Sequence, residues 1–352
     1  MLNLATLSIA GVASVGGRAN FYRDVPAGAG IPFKRSMRPS PNSSSVSLLC
    51  LGKRLLSALL LCVAASAQAS SERASTLVIG RISDNPRADV QRLRPLLEYV
   101  VPKLRHVGIE RGEILLARDP LQLRSYLRRG RVDWVTETAA MAAMLGADAG
   151  ATPVLRGMRE NEGAYRSVIF VRRDSGIETL DQLLGKRIAL QMRSSTSSFY
   201  LPLLMLRDAG LPIVELASPE DKPNDAEVGF LLARSEFNIA TWVEKGLTDA
   251  GAFSNRDWGN PTHMPESFRN HMRLIAQSQD VPRAVELMRA DVDPVIRAAL
   301  ITVLIGASED AAANEALQEY FGTTRFVSIE PASAAVLEKL GDQVLALRRE
   351  VE

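Results

Sequence analysis

At 352 residues the chain is long enough for two domains of ordinary size, and 46% hydrophobic with 5% aromatic residues describes a globular protein with an Ala/Leu/Val core rather than a disordered one. Its 42 basic and 40 acidic residues give a net charge of +2, but residues 1–69 hold seven of the bases and one of the acids, leaving 35 bases against 39 acids, net −4. No basic patch then calls for a nucleic-acid partner, and both cysteines, Cys50 and Cys62, fall in the same N-terminal stretch, which excludes a disulfide framework, a thiolate metal site or a cysteine nucleophile in the remainder.

Lys53-Arg54 precede an apolar run over 55–65, followed by Ala67-Gln68-Ala69. A basic start, a short apolar run and an Ala-x-Ala site spell a secretory signal peptide, too short to span a membrane. The leader is placed at 37–69, starting at Met37 and cleaved near Ala69, with 1–36 an upstream extension that has no fold of its own. Leu61 before Cys62 is too large for the usual lipobox, so a secreted protein without a lipid anchor is expected.

A strand is predicted at 77–80, a loop at Ser83-Asp84-Asn85-Pro86, and a helix over 90–107 with Leu93, Leu96, Leu97, Val100 and Leu104 at helical spacing. A strand at 114–117, a helix over 121–129, a strand at 132–135 and an Ala/Met-rich helix over 139–147 follow. Further strands are predicted at 168–171, 187–191, 214–216 and 249–254, with helices over 195–209 and, mainly, 227–245; the tail 332–350 reads as an amphipathic helix. Strands alternating with helices imply a mostly parallel sheet, and such sheets bind ligands beyond the strand C-termini. Thr136-Glu137-Thr138 stands at such a place, before a helix, although a threonine there also reads as a helix cap. Asn85 is a candidate of the same kind, with a plain Asn-Pro turn as the alternative. Ser254 ends a strand that points at the same side.

The most informative stretch is Gly185-Lys186-Arg187-Ile188-Ala189-Leu190-Gln191-Met192-Arg193-Ser194-Ser195-Thr196-Ser197-Ser198. A strand runs into a helix start rich in hydroxyls, and free N–H groups with a partial positive charge make such a turn a cup of donors for a tetrahedral oxyanion. The blander reading is an N-cap. Around it stand Tyr165-Arg166-Ser167-Val168-Ile169-Phe170-Val171, Asp174-Ser175-Gly176-Ile177 and Leu180-Asp181-Gln182-Leu183-Leu184-Gly185-Lys186, in that order. Together these segments resemble the PhnD-like substrate-binding proteins of phosphate, phosphite and phosphonate ABC transporters, over essentially all of 76–300. Ser198 stands where that family usually has Gly.

The resemblance implies a type II periplasmic binding protein: two α/β lobes joined by two crossing strands, with the ligand cleft between them. Lobe one would comprise 76–167 and 275–352, and lobe two 168–274. It implies binding by Ser195, Thr196 and Ser197, with Thr136, Thr138 and Tyr165 contributing from the other lobe or the hinge. The expected partner is an ABC permease, with a periplasmic sensor-kinase domain as the alternative, and the protein is expected to be monomeric. Arg256 and Arg283 stand near positions that would be acidic if an amine were bound, so a plain oxyanion fits better, unless both are solvated surface residues. His106, His263 and His271 have no metal spacing, and neither a nucleophile elbow nor a Gly-rich nucleotide loop occurs, so no metal, cofactor or catalysis is expected.

Overall fold

The computed structural model describes residues 73–160 and 162–351. The predicted leader, the upstream extension and both cysteines lie outside them. The chain opens with β1 (Thr76–Ile82), buried over its first five residues. Asn85 caps α1 (Pro86–Lys103) by accepting from Ala88 N at 3.3 Å, and Pro86 takes the first helical position, where a missing N–H loses no hydrogen bond. Leu93, Leu96, Leu97 and Val100 form the buried stripe of α1. β2 (Arg111–Ala117) lies parallel to β1 on one side. After α2 (Pro120–Arg128), capped by Asp119, β3 (Trp134–Glu137) lies parallel to β1 on the other. α3 (Ala139–Ala149) begins immediately beyond β3 and is buried from Ala139 to Leu145.

Three further strands complete this sheet: β4 (Ala151–Arg159), β13 (Val285–Arg289) and β14 (Thr323–Ser328), all in antiparallel pairings, in the order β14-β4-β13-β3-β1-β2. None was among the predicted elements. β4 carries Pro153, a residue that argues against an interior strand because it cannot donate to the ladder. The register of β13 against β4 shifts at this point, Glu286 pairing with Leu155 and Leu287 with Pro153, so a bulge at Val154 absorbs the proline.

The second sheet is built from β6 (Ser167–Arg172), β7 (Arg187–Leu190), β8 (Ile213–Glu215), β9 (Val228–Leu232), β10 (Ala250–Ser254) and β11 (Met272–Gln277), in the order β11-β6-β10-β7-β9-β8. β7, β8, β9 and β10 are mutually parallel where they pair, and β6 and β11 are antiparallel. Here one expectation is corrected. The segment 227–245 is not mainly helical: 228–232 is β9, and only α5 (Glu236–Glu244) is helix. A short apolar run such as Val228-Gly229-Phe230-Leu231-Leu232 has no period that separates a buried strand from a buried helix. Asp249 braces the start of β10, its carboxylate accepting from Arg187 N at 2.9 Å. Gly251 sits where a Cβ would lie 2.7 Å from the Ile239 side chain and 2.8 Å from that of Phe170. Gly251→Ala is therefore expected to cost about 1–3 kcal/mol by overpacking, read as a lower denaturation midpoint at unchanged m-value.

Two chain crossings join the sheets, and they pair with each other. β5 (Ala164–Tyr165) lies antiparallel to β12 (Val281–Pro282), with Tyr165 opposite Val281. The C-terminal α10 (Pro331–Val351), close to the predicted 332–350, buries Leu337, Leu340, Gly341, Val344 and Leu347. Gly341 permits a close helix crossing, since a Cβ there would lie 3.2 Å from the Ala143 carbonyl oxygen of α3. α10 also reaches the second lobe. A groove of about 520 Å³ separates its Val336, Leu340 and Gln343 from Leu201, Leu204 and Met205 of α4 (Leu201–Asp208), and Arg207 Nη1 donates to the Gln343 carbonyl at 3.3 Å.

Candidate ligand-binding site

The two lobes meet where two helix starts face each other. In lobe one, Thr138 precedes α3 with extended backbone and makes no cap to its own helix. Its hydroxyl instead donates across the cleft to the Ser194 carbonyl at 3.3 Å. In lobe two, Ser195 caps a π-helical turn, Thr196–Tyr200, that runs on into α4, its Oγ accepting from Ser198 N at 3.1 Å. The Ala140 N–H, one of the donors that the first turn of α3 leaves without an intrahelical partner, donates to Thr196 Oγ1 at 2.8 Å. Ser167 Oγ donates to the Ser197 carbonyl at 2.6 Å, tying the turn to β6. Thr196, Ser197 and Ser198 are buried in this seam.

Tyr165, on the hinge strand β5, is buried against the same turn. Burial pushes its hydroxyl up to about 12, more than the Thr196 and Ser197 hydroxyls and the nearby Arg159 lower it, so it stays neutral and able to donate. The guanidinium of Arg159, at the end of β4, makes no hydrogen bond or ion pair among the described residues, and its Nε is buried. Desolvation pulls its guanidinium down to about 10, with Arg81 and Arg283 adding repulsion. Tyr320 and the carboxylate of Glu286 on β13 partly offset this; Glu286 is fully buried and accepts from Trp134 Nε1 at 2.6 Å, Thr136 Oγ1 at 2.9 Å and Tyr320 OH at 2.9 Å. Burial raises that carboxyl to about 7 in spite of its three donors. The Phe321 ring, held at φ 55°, packs under three guanidiniums, with Arg81, Arg159 and Arg92 at 4.5, 5.1 and 5.5 Å from its centroid.

Outside the seam lies a cleft of about 1050 Å³, walled by Arg81, Asn85 and Thr138 from lobe one and by Arg193, Ser195 and Arg234 from lobe two. The predicted site residues thus fall into three groups. Asn85, Thr138 and Ser195 line the cleft. Thr196, Ser197 and Tyr165 form the buried seam behind it. The other three are held elsewhere: Thr136 by Glu286, Ser254 as the cap of α6 (Asn255–Gly259) in a capping box with Asp257, and Arg283 at 3.9 Å from Glu160. Arg256 pairs with Glu160 and Glu162 at the same hinge. Glu137 turns inward, accepting from Ile82 N at 2.8 Å and Thr138 N at 3.2 Å, with burial raising its carboxyl. Among the described residues no three His, Cys, Asp or Glu converge on a metal-sized point, and no helix is long and apolar enough to cross a membrane.

Sequence reasoning missed Arg159 and Arg81, whose surroundings come from residues far apart in the chain, and Arg234, exposed on the cleft wall. Ser254, by contrast, carried a local signal, since Ser254-Asn255-Arg256-Asp257 has capping-box spacing.

Two α/β lobes, paired hinge strands and a cleft at the strand C-termini define a type II periplasmic binding protein. The chain matches the family described as "ABC transporter, phosphonate, periplasmic substrate-binding protein" over residues 79–334, and it belongs to that family. XAC2383 from Xanthomonas citri is 44% identical over 79% of this chain and 100% of its own, with TM-scores of 0.76 for the chloride-bound and 0.75 for the ATP-bound structure. PhnD1 from Prochlorococcus marinus, solved with methylphosphonate, shares the fold at 16% identity and TM-score 0.56, over 77% of this chain and 99% of its own.

Proposed function

We propose that this protein captures a phosphorus oxyanion (phosphate, phosphite or a phosphonate) in the periplasm and delivers it to an ABC permease. The observation that carries this reading is the seam itself. A helix-start N–H of lobe one, at Ala140, is satisfied by a hydroxyl of the helix start of lobe two, at Thr196, with the neutral Tyr165 hydroxyl and the unpaired Arg159 behind them. When the lobes part, an oxyanion takes the acceptor place of Thr196 Oγ1. The Ala140 N–H and the Thr196, Ser197 and Tyr165 hydroxyls then converge on it, and Arg159 supplies the charge. Ligand contacts to both lobes favour the closed form. Family membership and the anionic ligands of XAC2383, chloride and ATP, support the same reading. The predicted signal peptide ending near Ala69 supports the periplasmic location.

A thermal-shift panel of phosphate, phosphite, methylphosphonate, 2-aminoethylphosphonate, sulfate and citrate tests it. A bound phosphorus oxyanion at a hundred times its dissociation constant adds about 2.7 kcal/mol of stability. A response to sulfate or citrate alone would move the protein to another ligand class.

A further inference from the structure

We propose that the ligand is an organic phosphate or phosphonate with a bulky second group, and that Arg234 selects for that group; this rests on the phosphorus-oxyanion reading above. A bare tetrahedral anion needs only the seam. The space in front of the seam is far larger, about 1050 Å³, just above the roughly 300–1,000 Å³ of pockets that hold drug-sized ligands. Its wall is not uniformly polar. Ile82 and Leu121 from lobe one, with Leu121 59% exposed, and Met192 and Leu232 from lobe two offer apolar surface beside the guanidiniums. Most of those guanidiniums are already balanced: Arg81 and Arg92 share Asp89, Arg118 pairs with Asp119, and Arg193 with Glu215. The cleft beyond the seam is therefore not built for a second full charge. It is built for an organic body that has apolar faces and a few acceptors.

Arg234 differs from the other cleft arginines. Its guanidinium is exposed and makes no hydrogen bond or ion pair among the described residues. It also stands just past the C-terminal end of β9 with φ 70°, a left-handed backbone that arginine rarely adopts, pinned by its N–H donating to the Gln191 carbonyl at 3.0 Å. Among the described residues two other non-glycine residues have this conformation, and both hold arginines at the cleft or hinge: Phe321 under Arg81, Arg92 and Arg159, and Glu160 against Arg256 and Arg283. A turn serving only the chain path would be better filled by glycine, so retained strain points to the side chain.

Calorimetric titration of the wild-type protein and of Arg234→Gly with inorganic phosphate, methylphosphonate, phenyl phosphate and adenosine monophosphate decides the matter. The wild type should bind at least one of the two larger probes ten or more times tighter than phosphate. Arg234→Gly should unfold at a higher temperature, because the strain is gone, while that preference falls below threefold. An unchanged preference in Arg234→Gly, or a wild type that prefers phosphate or methylphosphonate, overturns the inference and leaves oxyanion capture standing. Silence toward all four probes from a cooperatively folded protein overturns both.

Discussion

Ser195→Ala combined with Thr196→Ala is expected to lower oxyanion affinity by a hundredfold or more, eliminating the ligand-induced thermal shift. A hydrogen bond to a charged group is worth about 1.5–3 kcal/mol, roughly one to two powers of ten in affinity, and this pair removes a hydroxyl from the seam and the cap that holds the turn in place. The unliganded protein loses stability as well. The Ala140 N–H forfeits its acceptor and the Ser198 N–H its cap, together about 2–4 kcal/mol. Titration calorimetry and unfolding of the same variant separate the two effects. Wild-type affinity in a folded double variant would remove the seam from the binding site.

Glu286→Ala is expected to cost about 3–5 kcal/mol, because it strands the Trp134 Nε1–H, Thr136 and Tyr320 donors and deprives Arg159 of its compensating charge. Glu286→Gln keeps the shape and reports the charge alone. The folded-state pKa, about 7, lies above the value of 4.5 for an unperturbed glutamate, so the native state binds this proton more tightly than the unfolded chain does. The favourable contribution of the protonated carboxyl is fully present below about pH 4.5 and is lost as pH rises through about 7. Wild-type protein should thus lose stability across that window relative to Glu286→Gln. His263, raised by its hydrogen bond to Asp257, titrates in the same direction in both proteins and cancels in the comparison. Anion affinity should rise over the same interval as pH falls, since protonated Glu286 leaves Arg159 uncompensated. Parallel unfolding curves for the two proteins from pH 5 to 8 would show that Glu286 does not titrate there.

The parts of the site that could be read from the sequence were those written locally. A strand, a turn and three hydroxyls at a helix start occupy a dozen consecutive residues, and Thr138 stands one residue before a helix whose Ala/Met composition is unmistakable. The charges behind the seam were not local. Arg159 ends a strand hidden by Pro153, and Glu286 meets Trp134, 152 residues away, only once β13 lies against β3. In lobe two, β6, β7, β8 and β10 were legible as apolar runs, whereas β9, which follows β8 with no helix between them, was misread as helix. The antiparallel half of lobe one was not, since β4, β13 and β14 return without a helical period to announce them.

The last helix has a consequence for kinetics. α10 lies on α3 of one lobe and reaches α4 of the other, so the cleft cannot gape without shearing that contact and the Arg207–Gln343 hydrogen bond. How long a captured molecule stays inside is then governed partly by a clasp on the far side of the protein, where Leu340 faces Leu204 across a shallow groove. Loosening that clasp would speed both loading and unloading without altering a single atom that touches the cargo, leaving the turnover of the receptor to be tuned separately from its choice of ligand.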